Sequence, residues 1–293
     1  MQQNPKLKLL FRFLSSFSYK VLPSLFWEPY ARQSRKLGLN QLYLVLSFDC
    51  DTPEDIQAAS EIHQWLKARG CNGGFAVPGA QLEEGAATYR KMAAEGAEFI
   101  NHGAAPHTKW REGRYWSITF YEQMTPAEVE ADIRRGHEIV KKVIGIEPKG
   151  FRAPHFGHYQ KPEQLQHIYR ILESLDYAYA TTTVPRFLIS NGPAYRVGKL
   201  HEIPISGTYS TPLKILDSWT NLQSPYTPDI TEAYSKAFIA SVKQLLNAKI
   251  PGLINYYVDP AHVAKSPFFY ASLNYCLEAG IPFLTYSTFL DMI

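Results

Sequence analysis

Cysteine is scarce in this sequence of 293 residues: three occur, Cys50, Cys71 and Cys276, and none forms a CxxC pair. An odd, widely spaced set excludes a disulfide framework and a cysteine zinc site, and it suits a reducing, cytoplasmic compartment. An excess of either charge is also missing, since 30 Lys and Arg stand against 27 Asp and Glu. Without a global basic field, nucleic acid is not an expected partner. No GxGxxG follows the first hydrophobic strand, which removes the dinucleotide fingerprint. There is no internal repeat, low-complexity tract or linker. Near the N-terminus no apolar run goes uninterrupted: Arg12 and Lys20 break "KLKLLFRFLSSFSYKVLPSLFW", and no small-residue cleavage site follows. That segment matches neither a signal peptide nor a membrane span.

What residues 1–40 do have is charge, with seven basic side chains against one acidic. The net is +6, leaving −3 for the rest of a chain whose total is +3. A basic segment interleaved with Leu, Phe and Trp has two readings, a helix packed on the domain or peripheral contact with the inner face of an anionic membrane. Residues 41–293 read as one domain. Apolar residues make up 45% of the chain, enough for a sizeable core, and single α/β barrels are often this size.

After residue 40, strand-like and helix-like segments alternate. Strand-like runs fall at 42–48, 74–77, 97–101, 149–153, 177–182, 201–206, 252–258 and 282–286, several of them continuously apolar as in strands covered on both faces. Helical periodicity occupies 53–69, 125–144, 161–174 and 229–247. Thr52-Pro53 and Thr125-Pro126 read as helix starts, and Gly70, Gly96 and Gly280 as helix stops. This alternation predicts a parallel sheet and, at this length, an α/β fold of the distorted (β/α)7-8 barrel type, with an open doubly wound sheet as the alternative. Residues 184–230, rich in Pro, Gly, Ser and Tyr, are expected to form long loops around one strand.

Chemistry gathers at the C-terminal ends of barrel strands. Those ends read "SFDCD" (Asp49, Asp51), "NHGAAPHTKW" (His102, His107), "FRAPHFGH" (Arg152, His155, His158), Glu202 and "VDPAH" (Asp259, His262). An aspartate with two histidines is a usual donor set for zinc or a similar divalent ion. His102 and His107 are five apart, wrong for one helix face, but Gly103 and Pro106 argue for a loop, which can bring both rings together. His63 and His137, inside helical patterns, read as ordinary hydrogen-bonded residues. On an extended backbone i and i+2 point the same way, so Asp49 and Asp51 can both face the barrel mouth. Helix capping falls to Thr52, and both carboxylates need another purpose.

The ordered set "SFDCD", "NHGAAPH", "GFRAPHFG" and "YYVDPAH" resembles the polysaccharide deacetylase family, the NodB-homology fold of carbohydrate esterase family 4, over roughly residues 42–290. The D-x-D form is similar to a branch that also includes peptidoglycan-deacetylase-like and allantoinase-like or imidase-like members. The resemblance implies a distorted barrel, with Asp49 as catalytic base, Arg152 orienting it, and Asp51, His102 and His107 holding a divalent metal, zinc first. It implies a hydrolase removing an acetyl or formyl group from a nitrogen on a sugar. His262 would be the general acid, and His155, Trp110, Asp217, Trp219 and Asp259 would line the substrate. Three features depart from the family pattern: four residues instead of three between the histidines, "RAPHFG" after the arginine, and Asp259 where a histidine normally follows the strand. The alternatives are a cyclic-amide hydrolase and a carbohydrate-binding barrel without turnover. The basic N-terminus adds the expectation of a lipid-linked sugar substrate.

Overall fold

The computed structural model describes residues 24–293. In chain order, helix α1 (Ser24–Lys36) precedes β1 (Leu42–Asp49), α2 (Glu54–Lys67), β2 (Gly74–Val77), the short helices α3 (Gly79–Glu84) and α4 (Ala86–Ala94), and β3 (Glu98–Asn101). A hairpin of β4 (Thr108–Arg111) and β5 (Arg114–Ser117) leads to α5 (Pro126–Ile144), β6 (Gly150–Phe151), α6 (Pro162–Ser174), β7 (Tyr179–Ala180), α7 (Pro185–Asn191), β8 (Tyr195–Val197) and β9 (Leu200–Glu202). A second hairpin, β10 (Leu222–Ser224) with β11 (Thr227–Ile230), precedes α8 (Glu232–Asn247), β12 (Gly252–Val258), α9 (Pro260–Val263), α10 (Pro267–Glu278), β13 (Phe283–Leu284) and α11 (Tyr286–Leu290).

The main sheet runs β12-β1-β2-β3-β6-β7-β9-β8, with β13 also on β1. Its pairings are parallel except β8 with β9. All eight expected strands are present; β1, β2 and β12 are buried along their whole length, as strands covered on both faces are, while β13 is only half-buried. The sheet curls until its ends meet. Just past β9, Ser206 donates its N–H to the Asn255 carbonyl of β12 at 2.9 Å, and the Asn255 N–H donates to Ser206 Oγ at 2.9 Å. The architecture is therefore the distorted barrel and not the open doubly wound sheet. Strands β6 and β7 approach closely at Gly150, where an added Cβ would lie 2.0 Å from the Tyr179 ring.

Helix ends follow the local chemistry. Thr125 and Glu128 form a capping box at α5, with the Thr125 N–H donating to Glu128 Oε2 at 2.7 Å. At α2 the expected cap is reversed. The Thr52 side chain does not accept a backbone N–H; its own N–H and hydroxyl both donate to Asp55 Oδ2, each at 2.8 Å. Gly70, Gly96 and Gly280 do end helices with positive φ.

Two corrections concern the segments between expected elements. Residues 184–230 contain a helix, the β8–β9 pair and a hairpin, not loops around one strand. Residues 108–117 form the β4–β5 hairpin, whose two-residue turn has φ of 55° at Glu112 and 78° at Gly113. Positive φ at both central positions suits a type I′ turn, for which Asn-Gly is the strong sequence signal and Glu-Gly a weak one. Residues 24–36 pack on the barrel, where Trp27 is buried and the Tyr30 hydroxyl donates to the Leu253 carbonyl at 2.8 Å. The remainder of the proposed membrane-contacting segment lies outside the described residues. Among the described residues no helix is long and apolar enough to cross a membrane.

Candidate active site

The end of β1 carries Ser47, Asp49 and Asp51 toward the barrel mouth by simple alternation, while Cys50 turns into the core and is fully buried. Strand β6 lies beyond β2 and β3 and delivers Arg152, which is 0% exposed. A buried guanidinium must find acceptors. Its Nη1 pairs with Asp49 Oδ1, and its Nη2 donates to Ser47 Oγ at 2.8 Å and to the Tyr286 hydroxyl at 2.6 Å. Tyr286 in turn donates to Asn255 Oδ1 at 2.7 Å. Asp49 is thus held by an arginine that Ser47 of the same strand and Tyr286 of α11 also hold.

Strand β3 ends at Asn101, placing His102 beside both aspartates. His102 Nδ1 lies 2.8 Å from the Arg152 carbonyl, which can only accept, so Nδ1 carries the proton. Burial keeps this imidazole neutral, lowering its pKa well below the usual histidine range. Nε2 therefore presents a bare lone pair, and it faces Asp51 Oδ1 at 3.7 Å and Asp49 Oδ2 at 3.9 Å. His107, at the far end of the loop, has its Nδ1 3.1 Å from Asp51 Oδ1, and its Nε2 is buried without a hydrogen-bond partner. Burial also lowers its pKa, to about 4. Asp51, His102 and His107 offer donor atoms all within 4.8 Å of one another. The bare Nε2 of His102 is repelled by the buried carboxylates unless a cation stands among them, and His107 Nε2 is left without a partner, so the donor set fits a divalent metal. Burial, opposed by Arg152 at Asp49, pushes both aspartates above the ordinary carboxylate range.

The other expected residues divide. His155, Asp217 and Trp219 line the same cleft as Asp51. His155 is locked, with φ of 57° and Nε2 donating to the Ile118 carbonyl at 2.6 Å. Asp217 accepts from the Thr220 N–H at 2.7 Å and so starts the turn that presents Trp219. Asp259 has both oxygens engaged internally: Oδ2 accepts from Ser218 Oγ at 2.5 Å and Oδ1 from Trp219 Nε1 at 2.9 Å. It faces its neighbours and not the cleft. His262 sits on α9 with Nδ1 3.0 Å from Ser218 Oγ and 3.4 Å from Asp259 Oδ2. Trp110 lies apart from the Asp51 cleft. It lines an adjoining groove between the two hairpins with Tyr115, Tyr226, Trp219 and His262. Tyr226 lies over the hairpin tip at Gly113, and Trp219 is the wall common to groove and cleft. His63 and His137 are buried on helices; His137 is hydrogen-bonded as expected, with Nδ1 3.2 Å from the Tyr177 hydroxyl, whereas neither ring nitrogen of His63 has a hydrogen-bond partner and its Nε2 lies 3.4 Å from the Glu95 carboxylate.

Sequence reasoning missed Ser47, Tyr286, Asn255, Ser218 and Asp55. Asp55 accepts the Ala261 N–H at 2.8 Å as well as both Thr52 donors, and so ties the start of α2 to α9. Ser47 was readable from the alternation that selected Asp49. Ser218 lies between two residues that were chosen. Tyr286 and Asn255 carry no local signal.

The curled sheet with carboxylates, histidines and an arginine at its mouth defines a class: α/β-barrel hydrolases of the deacetylase kind, which act on carbon–nitrogen bonds other than peptide bonds. The polysaccharide deacetylase family model matches residues 38–178, and over that part the chain is similar to the family. Similar solved structures include a Mycobacterium smegmatis protein assigned to the polysaccharide deacetylases, at 17% identity, TM-score 0.64, covering 86% of this chain and 90% of that one. An allantoinase, Puue, matches at 12% identity and TM-score 0.60, covering 86% of this chain and 88% of that one. The Bc1960 peptidoglycan N-acetylglucosamine deacetylase matches at 15% and 0.53, with coverage of 86% and 93%. At these identities the likeness carries the fold alone. A search of curated proteins finds no match.

Proposed function

We propose that the chain removes an N-acyl group, acetyl or formyl, from a carbohydrate in a metal-dependent hydrolysis. The observation that carries this is the bare Nε2 of neutral His102 aimed at two buried carboxylates. Asp51, His102 and His107 would hold the metal, zinc by the preference of a two-nitrogen, one-oxygen set. Bound there, it supplies the Lewis acidity that makes water acidic near neutral pH and stabilises an anionic acyl oxygen. Asp49 stays outside that set, held by Arg152, and accepts the proton of the attacking water as the O–C bond forms. His262 donates a proton to the nitrogen as the C–N bond breaks, giving a free carboxylic acid and an amine. Its Nδ1 proton is committed to Ser218 and Asp259, so Nε2 is the transferring atom. Trp110 and Trp219, with Tyr226, supply aromatic faces for a sugar ring beside the reacting group. The peptidoglycan deacetylase among the fold neighbours supports the carbohydrate reading, whereas the allantoinase shows that the same fold accommodates cyclic-amide chemistry. Substitution Asp51→Ala tests the metal assignment. It should weaken Zn2+ binding by more than the roughly 10–100-fold typical of losing an outer contact, and abolish acetate or formate release. Opening of a cyclic imide or ureide by metal-free protein would instead favour the cyclic-amide reading.

The pH profile provides a second check. Burial alone would lower the pKa of His262, but the carboxylates around it, Asp259 with Asp55 and Asp51, together outweigh burial and the net shift is upward. A raised pKa keeps the imidazole protonated to higher pH, so an acid role is present below that pKa and lost as pH rises through it. Asp259→Asn should move the alkaline limb of kcat/KM to lower pH. An unmoved limb would remove His262 from the acid role.

A further inference from the structure

We propose that Asp132, on α5, is a positioning residue for His102 and His107, acting through the backbone that joins them; this rests on reading those histidines with Asp51 as a metal site. The joining residues are Gly103-Ala104-Ala105-Pro106, whose side chains offer no hydrogen bond. A loop of this composition has no local means of holding one shape. Its hold comes from outside. Asp132 Oδ1 accepts the N–H of Ala104 at 3.1 Å and of Ala105 at 2.9 Å, and Oδ2 accepts the Tyr121 hydroxyl at 2.8 Å. The carboxylate is buried, and these three neutral donors are what satisfy it.

The rest of the loop is accounted for just as fully. The Gly103 N–H donates to Asn101 Oδ1 at 3.0 Å. The carbonyls of Gly103 and Ala104 accept from Gly79 and Ala80, at 2.9 and 3.0 Å. Every backbone N–H and two carbonyls of residues 103–105 thus have a partner. Space is equally constrained. Gly103 has φ of +79°, and a Cβ on it would lie 2.3 Å from Asp132 Oδ2. A Cβ on Gly136, one turn further along α5, would lie 2.3 Å from Asn101 Oδ1 and 2.7 Å from the Gly103 carbonyl carbon. Helix α5 is thereby pressed against the loop, with the Asp132 carboxylate aimed at the two amides in the middle. The loop so held sets the two imidazoles 4.3 Å apart, centre to centre, at 78°. A four-residue spacer brings two rings to one point because Asp132 draws its middle inward.

The test is Co2+ affinity by chelator competition, with the visible absorption of the bound ion as a report on ligand geometry, both independent of turnover. Asp132→Ala should weaken Co2+ binding by about 10–100-fold and alter the spectrum. Asp132→Asn keeps an oxygen for both amides and a group for Tyr121, and should bind within about threefold of wild type, a rescue that bulk or burial alone would not distinguish. Should the alanine variant not fold, Asp132→Ser, too short to reach both amides, replaces it. Wild-type affinity and spectrum in a folded alanine or serine variant overturn the proposal. So does loss of the fold in both, which would make Asp132 a residue of the fold alone. Wild-type protein that binds no Co2+ would remove the metal reading itself, an outcome distinct from equal binding by wild type and variant.

Discussion

Asp49→Asn should lower kcat by about 10²–10⁴-fold, the range contributed by a general base, while metal affinity stays near wild type. The amide keeps the shape of the side chain and can still accept from Arg152, so the cleft stays intact. What it loses is the ability to take a proton. Asp49 approaches His102 Nε2 at 3.9 Å but, unlike Asp51, has an arginine for a partner. That difference in partner is what separates a proposed base from a proposed ligand. Parallel measurement of acyl release and Zn2+ affinity checks it. An equal loss in both would make Asp49 a ligand, and normal turnover would remove it from the chemistry.

The second large effect is on stability. Arg152→Met should cost about 3–5 kcal/mol in urea unfolding, because it strands the Asp49 carboxylate in a buried site and leaves Ser47 and Tyr286 without their donor. The double variant Asp49→Asn with Arg152→Met should then be less destabilised than the sum of the two single changes, since the stranded charge is gone. Strict additivity would mean that the buried pair is not what Arg152 is there to satisfy.

Much of the site was legible because its signals are local. Asp49 and Asp51 are two apart on a strand, and strand periodicity alone puts them on one face. His102 and His107 were legible as residue types at a strand end, with Gly103 and Pro106 excluding a helix. The eight strands were legible as apolar runs because burial on both faces demands them. What failed had either a weak local signal or none. The β4–β5 hairpin turns on Glu-Gly, where the strong signal would be Asn-Gly. Asp55 looks like any first-turn acid of a helix, and only α9, arriving from position 261, shows its second partner. Asp259 seemed to face substrate because it ends a strand, yet Ser218 and Trp219, from a loop some 40 residues earlier, take both its oxygens.

By itself, then, the sequence determined the barrel class, the positions of the chemistry along the strand ends, and the residue types suited to a metal, a base and an acid. Periodicity and residue chemistry act within a few positions, and those properties need nothing more. Only the tertiary structure decided what each of those residues faces. Arg152 is held by Tyr286, 134 positions away, and the histidine loop by Asp132, 27 positions beyond Ala105. Partners at such distances are chosen by the closure of the sheet and the packing of helices against it. A buried charge is satisfied by whichever group the fold brings within hydrogen-bonding reach.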